Sequence, residues 1–156
     1  MRGKRAVIAG DGETRAALEG RVAELGLQDK VHFPGWIKAE QKQAFFRDTD
    51  VICFTSESDV QPLVILESFA WGKALIGTDV PGPSSCYTHE DTAIVVPPKD
   101  PQALADALAR LARDPALRET LGRRARAYAI ANYADDVIGA ALEKHLRLLI
   151  DRTASR

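Results

Sequence analysis

Two carboxylates with a short spacing are the strongest candidates for chemistry in this sequence. Asp59 lies in the loop after a predicted strand, and Glu67 lies eight positions later in the helix that follows. This spacing predicts that both side chains face one cleft from different heights. The first backbone N–H groups of that helix have no acceptor within it, so they can donate to a phosphate without help from a basic side chain.

Such a combination suits a sugar nucleotide. One carboxylate can accept hydrogen bonds from two vicinal ribose hydroxyls, and the other can hold the hydroxyls of a sugar. A purely structural interpretation stays open, in which Asp59 is the N-cap of the helix and Glu67 is a solvated surface carboxylate. This segment alone does not choose between the two interpretations.

The elements that must position these residues alternate between short apolar runs and helical patterns. Strands separated by helices predict parallel pairing with right-handed crossovers, and therefore an α/β fold with an open, doubly wound, Rossmann-like sheet of about five strands. In such a sheet, ligands bind beyond the carboxyl ends of the strands. The predicted strands are Arg5–Ala9, Val31–Phe33, Val51–Thr55, Ala74–Gly77 and Ala93–Val96.

Three predicted helices connect these strands, and their patterns carry expectations about burial. We expect Val51–Thr55 to be the most buried strand, with Cys53 as a buried small hydrophobe, and we expect Trp71 to be a core residue. The predicted helices are one with an apolar stripe at Leu18, Val22 and Leu25 that ends at Gly26, one over about Ala39–Arg47, and one from Pro62 to Trp71.

The C-terminal third of the chain is predicted to be helical throughout. The pairs Asp100-Pro101 and Asp114-Pro115 each place an N-cap candidate before a proline at the first helical position. Tyr133 and Ala134 interrupt the apolar pattern, and a last helix follows them. The predicted architecture is therefore a parallel sheet with additional C-terminal helices.

Composition excludes several classes of protein. Of the 156 residues, 46% are hydrophobic and 28% are charged, which is ordinary for a globular domain and excludes a disordered chain. The formal net charge of −1 provides no field that would recruit nucleic acid. The sequence has no apolar run near the roughly 18 residues of a membrane span, and its N-terminus lacks a signal-peptide core. Two cysteines make no disulfide framework, so we expect a reducing, cytoplasmic location.

The arginine-rich segment Arg118–Arg126 has two interpretations. Its cations would suit anionic lipid head groups, which would place the protein at the periphery of the inner membrane. Asp114 and Glu119 dilute this positive charge, which favours a solvated helix face instead.

Other motifs are incomplete. Gly10-Asp11-Gly12 is similar to the start of a dinucleotide fingerprint, but Arg15 occupies the position of the third glycine. Cys86 and His89 lack a second pair of ligands, so no metal site is expected. The sequence contains no G-x-S-x-G motif, and no catalytic residue is assigned.

Four segments, in order, resemble the C-terminal, donor-binding domain of retaining GT-B glycosyltransferases, the glycosyl transferases group 1 family. In the third segment, Asp59 and Glu67 occupy the two glutamate positions of the family's motif, which are separated by seven residues. The resemblance implies an enzyme that transfers a hexosyl group with retention from a UDP-, GDP- or ADP-sugar to an unknown acceptor, without a further cofactor or metal. The segments are VIAGDGE, KVHFPGWIKAEQKQAFFRDTDVICFTS, DVQPLVILESFAWGKALIGTDVPG and AIVVPPKDPQALADALARLARDPALRETLG.

The resemblance also implies roles for individual residues. Glu67 would bind the ribose hydroxyls of the donor, and Asp59 would contact the donor sugar. The backbone at the start of the third helix would face the diphosphate, and the loop after the second strand would border the base. The implied diphosphate contacts are Pro62, Leu63 and Val64, and the implied base pocket contains Gly35 and Trp36.

Three departures from the family's pattern lie in this region. Asp59 is one methylene shorter than the usual glutamate, Pro62 has no N–H to offer a phosphate, and Ser85 stands where the family usually has glutamate. These departures keep a second hypothesis open, in which the chain is a degenerate, non-catalytic interaction or dimerisation module with the same fold.

Residues 1–156 are expected to form a single nucleotide-sugar-binding domain that is incomplete at its N-terminus. The resemblance implies a preceding strand and helix, whose basic pair neutralises the leaving diphosphate, and a separate N-terminal domain that binds the acceptor. We therefore expect the isolated chain to be inactive without that acceptor domain. The missing strand would leave an exposed edge through which a homodimer could form.

Overall fold

A computed structural model describes residues 5–60 and 62–154, and it confirms an α/β fold with parallel strands and C-terminal helices. Each predicted strand is present, with ends within two residues of the prediction. The strands are β1 (Ala6–Ala9), β2 (Val31–Gly35), β3 (Val51–Phe54), β4 (Ala74–Thr78) and β5 (Ile94–Val96). The helices are α1 (Arg15–Glu24), α2 (Ala39–Asp48), α3 (Leu63–Ala70), α4 (Pro101–Arg113), α5 (Pro115–Tyr133) and α6 (Asp135–Ala154). A short 3-10 helix, Pro83–Cys86, follows β4.

The chain divides into two compact units. The first unit extends to Arg47, and the second unit begins at Asp48. In the first unit, β1 and β2 form a parallel two-stranded sheet, and in the second unit, β3, β4 and β5 form a parallel three-stranded sheet in that order. The backbone hydrogen bonds that join the five strands therefore form two sheets.

The first unit buries little apolar surface. Val7 of β1 is 48% exposed. In the apolar stripe of α1, Leu18 is 42% exposed and Leu25 is 54% exposed, while Val22 is half-buried. Among the described residues of this unit, the buried ones are Gly35 and Phe46. The helix predicted from this periodicity is therefore present as α1, although much of its apolar stripe stays exposed.

The second unit is built around β4. This strand lies between β3 and β5, and all five of its residues are buried. The expectation that Val51–Thr55 is the most buried strand is wrong, because the central strand of a sheet is covered by neighbours on both sides. Cys53 of β3 is exposed rather than buried, although desolvation by nearby protein atoms raises the pKa of its thiol to about 11.

Helices complete the core of the second unit. Ile76 and Ile94 of the sheet pack with Leu111 of α4 and Leu121 of α5. Helix α3 packs against β4 and α5 and buries Phe69 completely. Trp71 is 41% exposed, so its assignment to the core is wrong. Two positions after Phe69, its side chain falls on the opposite side of the helix.

The structure confirms the two N-caps that were predicted for the helices of the C-terminal third. Asp100 Oδ1 accepts a hydrogen bond from the N–H of Ala103, and Asp114 Oδ1 accepts one from the N–H of Leu117, both at 2.9 Å. Ala134 has an extended backbone and ends α5. Each carboxylate thereby satisfies one of the N–H groups that a helix start leaves without a partner.

Helix α6 is amphipathic and exposed along residues 135–151. Its apolar side includes Ile138, Leu142 and Leu149, each about half exposed. Within residues 5–60 and 62–154, none of the helices combines the length and apolar character needed to cross a bilayer.

Candidate functional site

The start of α3 follows the loop at the carboxyl end of β3. Pro62 has an extended backbone (φ −72°, ψ 114°) and serves as the N-cap, so the helix begins one residue later than predicted. The N–H of Ile65 donates to the Pro62 carbonyl oxygen at 3.1 Å. The N–H groups of Leu63 and Val64 precede this bond, and the helix itself offers them no acceptor. The start of α3 can therefore donate to an anion, in the direction that the helix dipole favours.

Glu67 lies one turn beyond Leu63 on the same side of α3. The other side of the helix is fixed by packing, because Ile65 and Phe69 are fully buried. Glu67 is half-buried. The structure thus brings Glu67 and the first amides of α3 together on one helix.

Asp59 is exposed in the loop between β3 and α3. Gly82, in the loop after β4, approaches this loop so closely that a Cβ at position 82 would lie 2.1 Å from the Asp59 carbonyl oxygen. The φ of Gly82 is 90°, a region that favours glycine. Asp59 does not cap α3, because Pro62 is the N-cap and makes no side-chain cap bond.

Hydroxyl groups connect the loops at the end of β4. Thr78 Oγ1 donates to the Ser56 carbonyl oxygen at 2.6 Å, and the Tyr87 hydroxyl donates to the Thr78 carbonyl oxygen. Burial raises the pKa of Tyr87 to about 12, so this hydroxyl keeps its proton at neutral pH. Ser85 Oγ donates to the Gly82 carbonyl oxygen at 2.6 Å, which orders the 3-10 helix.

A cavity of about 240 Å³ opens where the strands of the second unit end. It is lined by Thr55 directly after β3, by Thr78 at the end of β4 and by Val96 at the end of β5. Glu57 and Lys99 also line the cavity, and Lys99 Nζ lies 3.1 Å from Glu57 Oε2. Neither charge was predicted from the sequence, because no local spacing relates them. The cavity therefore lies at the carboxyl ends of the strands, where α/β folds bind ligands.

The predicted base-binding residues, Gly35 and Trp36, belong to the first unit. Gly35 ends β2, is buried, and has a φ of 74°, which an L side chain would adopt only with strain. The N–H of Gly10 donates to the Gly35 carbonyl oxygen at 2.8 Å. Trp36 is 74% exposed, so its ring is open to a stacking partner.

Arg15 is a residue of the first unit that sequence reasoning missed. Its guanidinium donates from Nη2 to the Phe33 carbonyl oxygen at 3.0 Å, from Nη1 to Asp11 at 3.0 Å, and from Nε to Glu19 at 2.8 Å. The hydrogen bond to Glu19 is the largest of the causes that raise the pKa of Arg15. The spacing of Asp11, Arg15 and Glu19 at four-residue intervals was the available signal.

Comparison with known proteins finds one family. A sequence model of the family described as "Glycosyl transferases group 1" matches residues 4–128. The lipopolysaccharide core biosynthesis glycosyltransferase LpsD of Rhizobium meliloti is 39% identical to this chain over 114 residues, which are 73% of this chain and 33% of LpsD. The chain thus spans about a third of the length of this curated relative.

Two solved structures are similar in fold. Sucrose-phosphate synthase from Thermosynechococcus elongatus matches with a TM-score of 0.82 and 31% identity, over 94% of this chain and 38% of that chain. HepE of Anabaena, solved in complex with UDP, matches with a TM-score of 0.84 and 22% identity, over 92% of this chain and 41% of that chain. HepE has also been solved in complex with UDP-glucose.

Proposed function

The chain belongs to the glycosyl transferases group 1 family and has the GT-B type of fold, and we propose that it binds the nucleotide-sugar donor of a hexosyl transfer reaction. The donor would be a UDP-, GDP- or ADP-sugar. The observation that carries this proposal is the start of α3, where two amides without a helical acceptor lie one turn from the half-buried Glu67. The UDP and UDP-glucose complexes of HepE support this class of ligand.

In the proposed complex, the diphosphate binds at the start of α3. The N–H groups of Leu63 and Val64 donate to phosphate oxygens, and Pro62 contributes backbone contacts but no N–H. The same donors would stabilise the charge that develops on the leaving diphosphate. Glu67 accepts hydrogen bonds from the ribose hydroxyls, and Asp59 accepts them from the donor sugar.

The base is proposed to contact Gly35 and Trp36 of the first unit. A flat, exposed indole offers a stacking surface to any nucleobase, so this contact does not select among uracil, guanine and adenine.

Chemical-shift mapping tests where a nucleotide binds. We expect UDP, GDP or ADP to perturb the backbone resonances of Leu63, Val64 and Glu67 in a saturable way. Saturable perturbations confined to the amino ends of the strands would contradict the proposed site.

Substitution of Glu67 tests the ribose contact. A hydrogen bond to a charged group is worth roughly 1.5–3 kcal/mol, so Glu67→Ala should weaken nucleotide binding by about 10- to 150-fold in calorimetry. Glu67→Gln keeps one acceptor oxygen and should lose less affinity. The matched control is Glu143→Ala on α6, whose carboxylate pairs with Arg147. Equal affinities for Glu67→Ala and the control would contradict the role of Glu67.

Transfer is proposed to need an acceptor-binding domain outside these 156 residues. The chain spans about a third of LpsD, so an acceptor site would lie in the remaining part of a full-length enzyme. Without an oriented acceptor, the proximity contribution of about 7–11 kcal/mol is lost. In a radiolabelled-donor assay, we expect turnover only after co-expression with an upstream domain. Turnover by residues 1–156 alone would overturn this proposal.

A non-catalytic interaction or dimerisation module is the second candidate. The exposed apolar side of α6 favours it, since Leu142 and Leu149 are each more than half exposed. A homodimer through the exposed strand β1 belongs to the same candidate, and sedimentation of the wild-type chain tests it. For either function we propose a cytoplasmic protein, with the inner membrane surface as the alternative location.

A further inference from the structure

We propose that Arg15 is a positioning residue that holds residues 33–36, here called the base loop, in the conformation that receives the nucleobase. The inference rests on the proposed function, because Gly35 and Trp36 are the residues proposed to border the base. It assigns Arg15 a role in nucleotide affinity that requires no contact with the ligand.

The pairing of β1 with β2 is irregular. The register shifts by one residue between Val7 and Ala9, so that β2 contains one more residue than β1 in this interval. Pro34 lies within the interval and has no N–H to donate. The backbone ladder is therefore interrupted within the base loop, at Pro34.

Two hydrogen bonds bridge this interruption. Nη2 of Arg15 donates to the Phe33 carbonyl oxygen at 3.0 Å, and the N–H of Gly10 donates to the Gly35 carbonyl oxygen at 2.8 Å. Two carbonyl groups on either side of Pro34 are thus held from the β1 side of the sheet. Arg15 is the side chain among these donors, so it is the one that substitution can remove.

The guanidinium of Arg15 is itself held in place by two carboxylates. Asp11 and Glu19 hold the guanidinium from two directions, at 3.0 Å and 2.8 Å, and the side chain of Arg15 is 32% exposed. The planar guanidinium has five donors in a fixed geometry, so three acceptors can be served at once. A lysine has a single ammonium on a flexible stem and would not serve all three in the same way.

The positions of Gly35 and Trp36 depend on the hydrogen bond of Arg15 to Phe33. Gly35 has a φ of 74°, and Trp36 follows it with 74% of its surface exposed, so little other than the backbone of the base loop determines where the indole lies. Loss of the Phe33 anchor would let Trp36 sample more positions. Nucleotide binding would then have to order the loop, which lowers affinity.

The test uses the full chain labelled with 5-fluorotryptophan, which gives one fluorine NMR signal for Trp36 and one for Trp71. Trp36→Phe assigns the two signals. The variants are Arg15→Ala, Arg15→Lys and the matched control Arg21→Ala, because Arg21 lies on the same helix and pairs with Glu24 at 2.8 Å. Affinities for UDP, GDP and ADP are measured by calorimetry on each variant.

We expect Arg15→Ala to shift or broaden the Trp36 signal, to leave the Trp71 signal unchanged, and to weaken nucleotide binding about tenfold, the effect of having to order one side chain on binding. Arg15→Lys should lie between Arg15→Ala and the wild-type chain, and Arg21→Ala should match the wild type. If Arg15→Ala does not fold, the Trp36 signal and the nucleotide affinity of Arg15→Lys decide the proposal instead.

An unchanged Trp36 signal in the Arg15 variants would overturn the positioning role, whatever the affinities are. Unchanged nucleotide affinity would overturn it equally. If the wild-type chain binds none of the three nucleotides, the proposed function fails, and the Trp36 signal still decides whether Arg15 positions the base loop.

Discussion

The two units use the same alternation of strand and helix, but they bury very different amounts of apolar surface. In the first unit, Leu18 of α1 remains 42% exposed, and Val7 of β1 remains 48% exposed. In the second unit, Phe69, Leu111 and Leu121 are completely buried. The hydrophobic contribution to folding therefore comes mainly from the second unit.

This difference in burial arises from the strands and helices that cover each sheet. In the second unit, β4 has a strand on each side, and α4 and α5 contribute Leu111 and Leu121 to the same cluster. Burial of one such side chain contributes about 1.5–3 kcal/mol. In the first unit, Arg15 forms ion pairs with Asp11 and Glu19. Exposed ion pairs of this kind contribute only about 0–1 kcal/mol each to stability. We expect stability to be concentrated in the second unit.

The largest difference should appear when matched leucines are truncated. Leu111→Ala removes a fully buried helical leucine and leaves a cavity, so the free energy of unfolding should fall by roughly 2–5 kcal/mol. Leu18→Ala changes an exposed helical leucine with the same intrinsic propensity difference and should stay within about 0.5 kcal/mol. Urea denaturation of both variants measures this contrast. Similar losses would show that the apolar stripe of α1 is covered in solution.

Alanine substitution of two helical glycines, one in each unit, should change stability in opposite directions. Gly122 of α5 lies against the backbone of Gly72, and a Cβ there would stand 2.0 Å from the Gly72 carbonyl oxygen. Gly122→Ala should therefore destabilise the chain by roughly 1–3 kcal/mol, because backbone atoms must move apart.

Gly20 of α1 is the matched position in the first unit. A Cβ there would meet nothing within 4 Å. Gly20→Ala should stabilise the chain by about 0.5–1 kcal/mol through helix propensity alone. Thermal unfolding followed by circular dichroism measures both signs. Equal effects at positions 20 and 122 would show that the close approach of α5 to Gly72 is relieved at no cost.

The sequence predicted elements more reliably than it predicted burial. Asp100-Pro101 and Asp114-Pro115 mark helix starts that the structure confirms, because capping is a local property of a few neighbouring residues. Cys53 lies in an apolar run and yet is exposed, whereas Ile52 beside it on β3 is buried, because neighbouring strand residues face opposite sides of the sheet. Which side is covered results from long-range packing, which hydropathy along the chain does not contain.

The residues of the candidate site also separate into those that the sequence could predict and those that it could not. The start of α3 and Glu67 could be found from sequence, because they share one local segment. Arg15 was missed because its acceptor is the carbonyl oxygen of Phe33, 18 positions away, and a backbone acceptor leaves no mark on residue type. The pairing of Glu57 with Lys99 was missed for a similar reason, since it depends on where β3 and β5 end.

The smallest contrast concerns helix caps. Asp100 Oδ1 accepts from the N–H of Ala103 at 2.9 Å, so Asp100→Ala should cost about 1 kcal/mol of unfolding free energy. Thr14 is the N-cap of α1, but it has a helical backbone (φ −84°, ψ −6°) and makes no side-chain cap bond. Thr14→Ala should therefore change stability by less than about 0.5 kcal/mol. Asp100→Asn retains an acceptor oxygen and should restore most of the loss, which separates capping from a general effect of charge. If Asp100→Asn is as unstable as Asp100→Ala while Thr14→Ala is neutral, the carboxylate acts through its charge at the start of α4 and not through the cap bond.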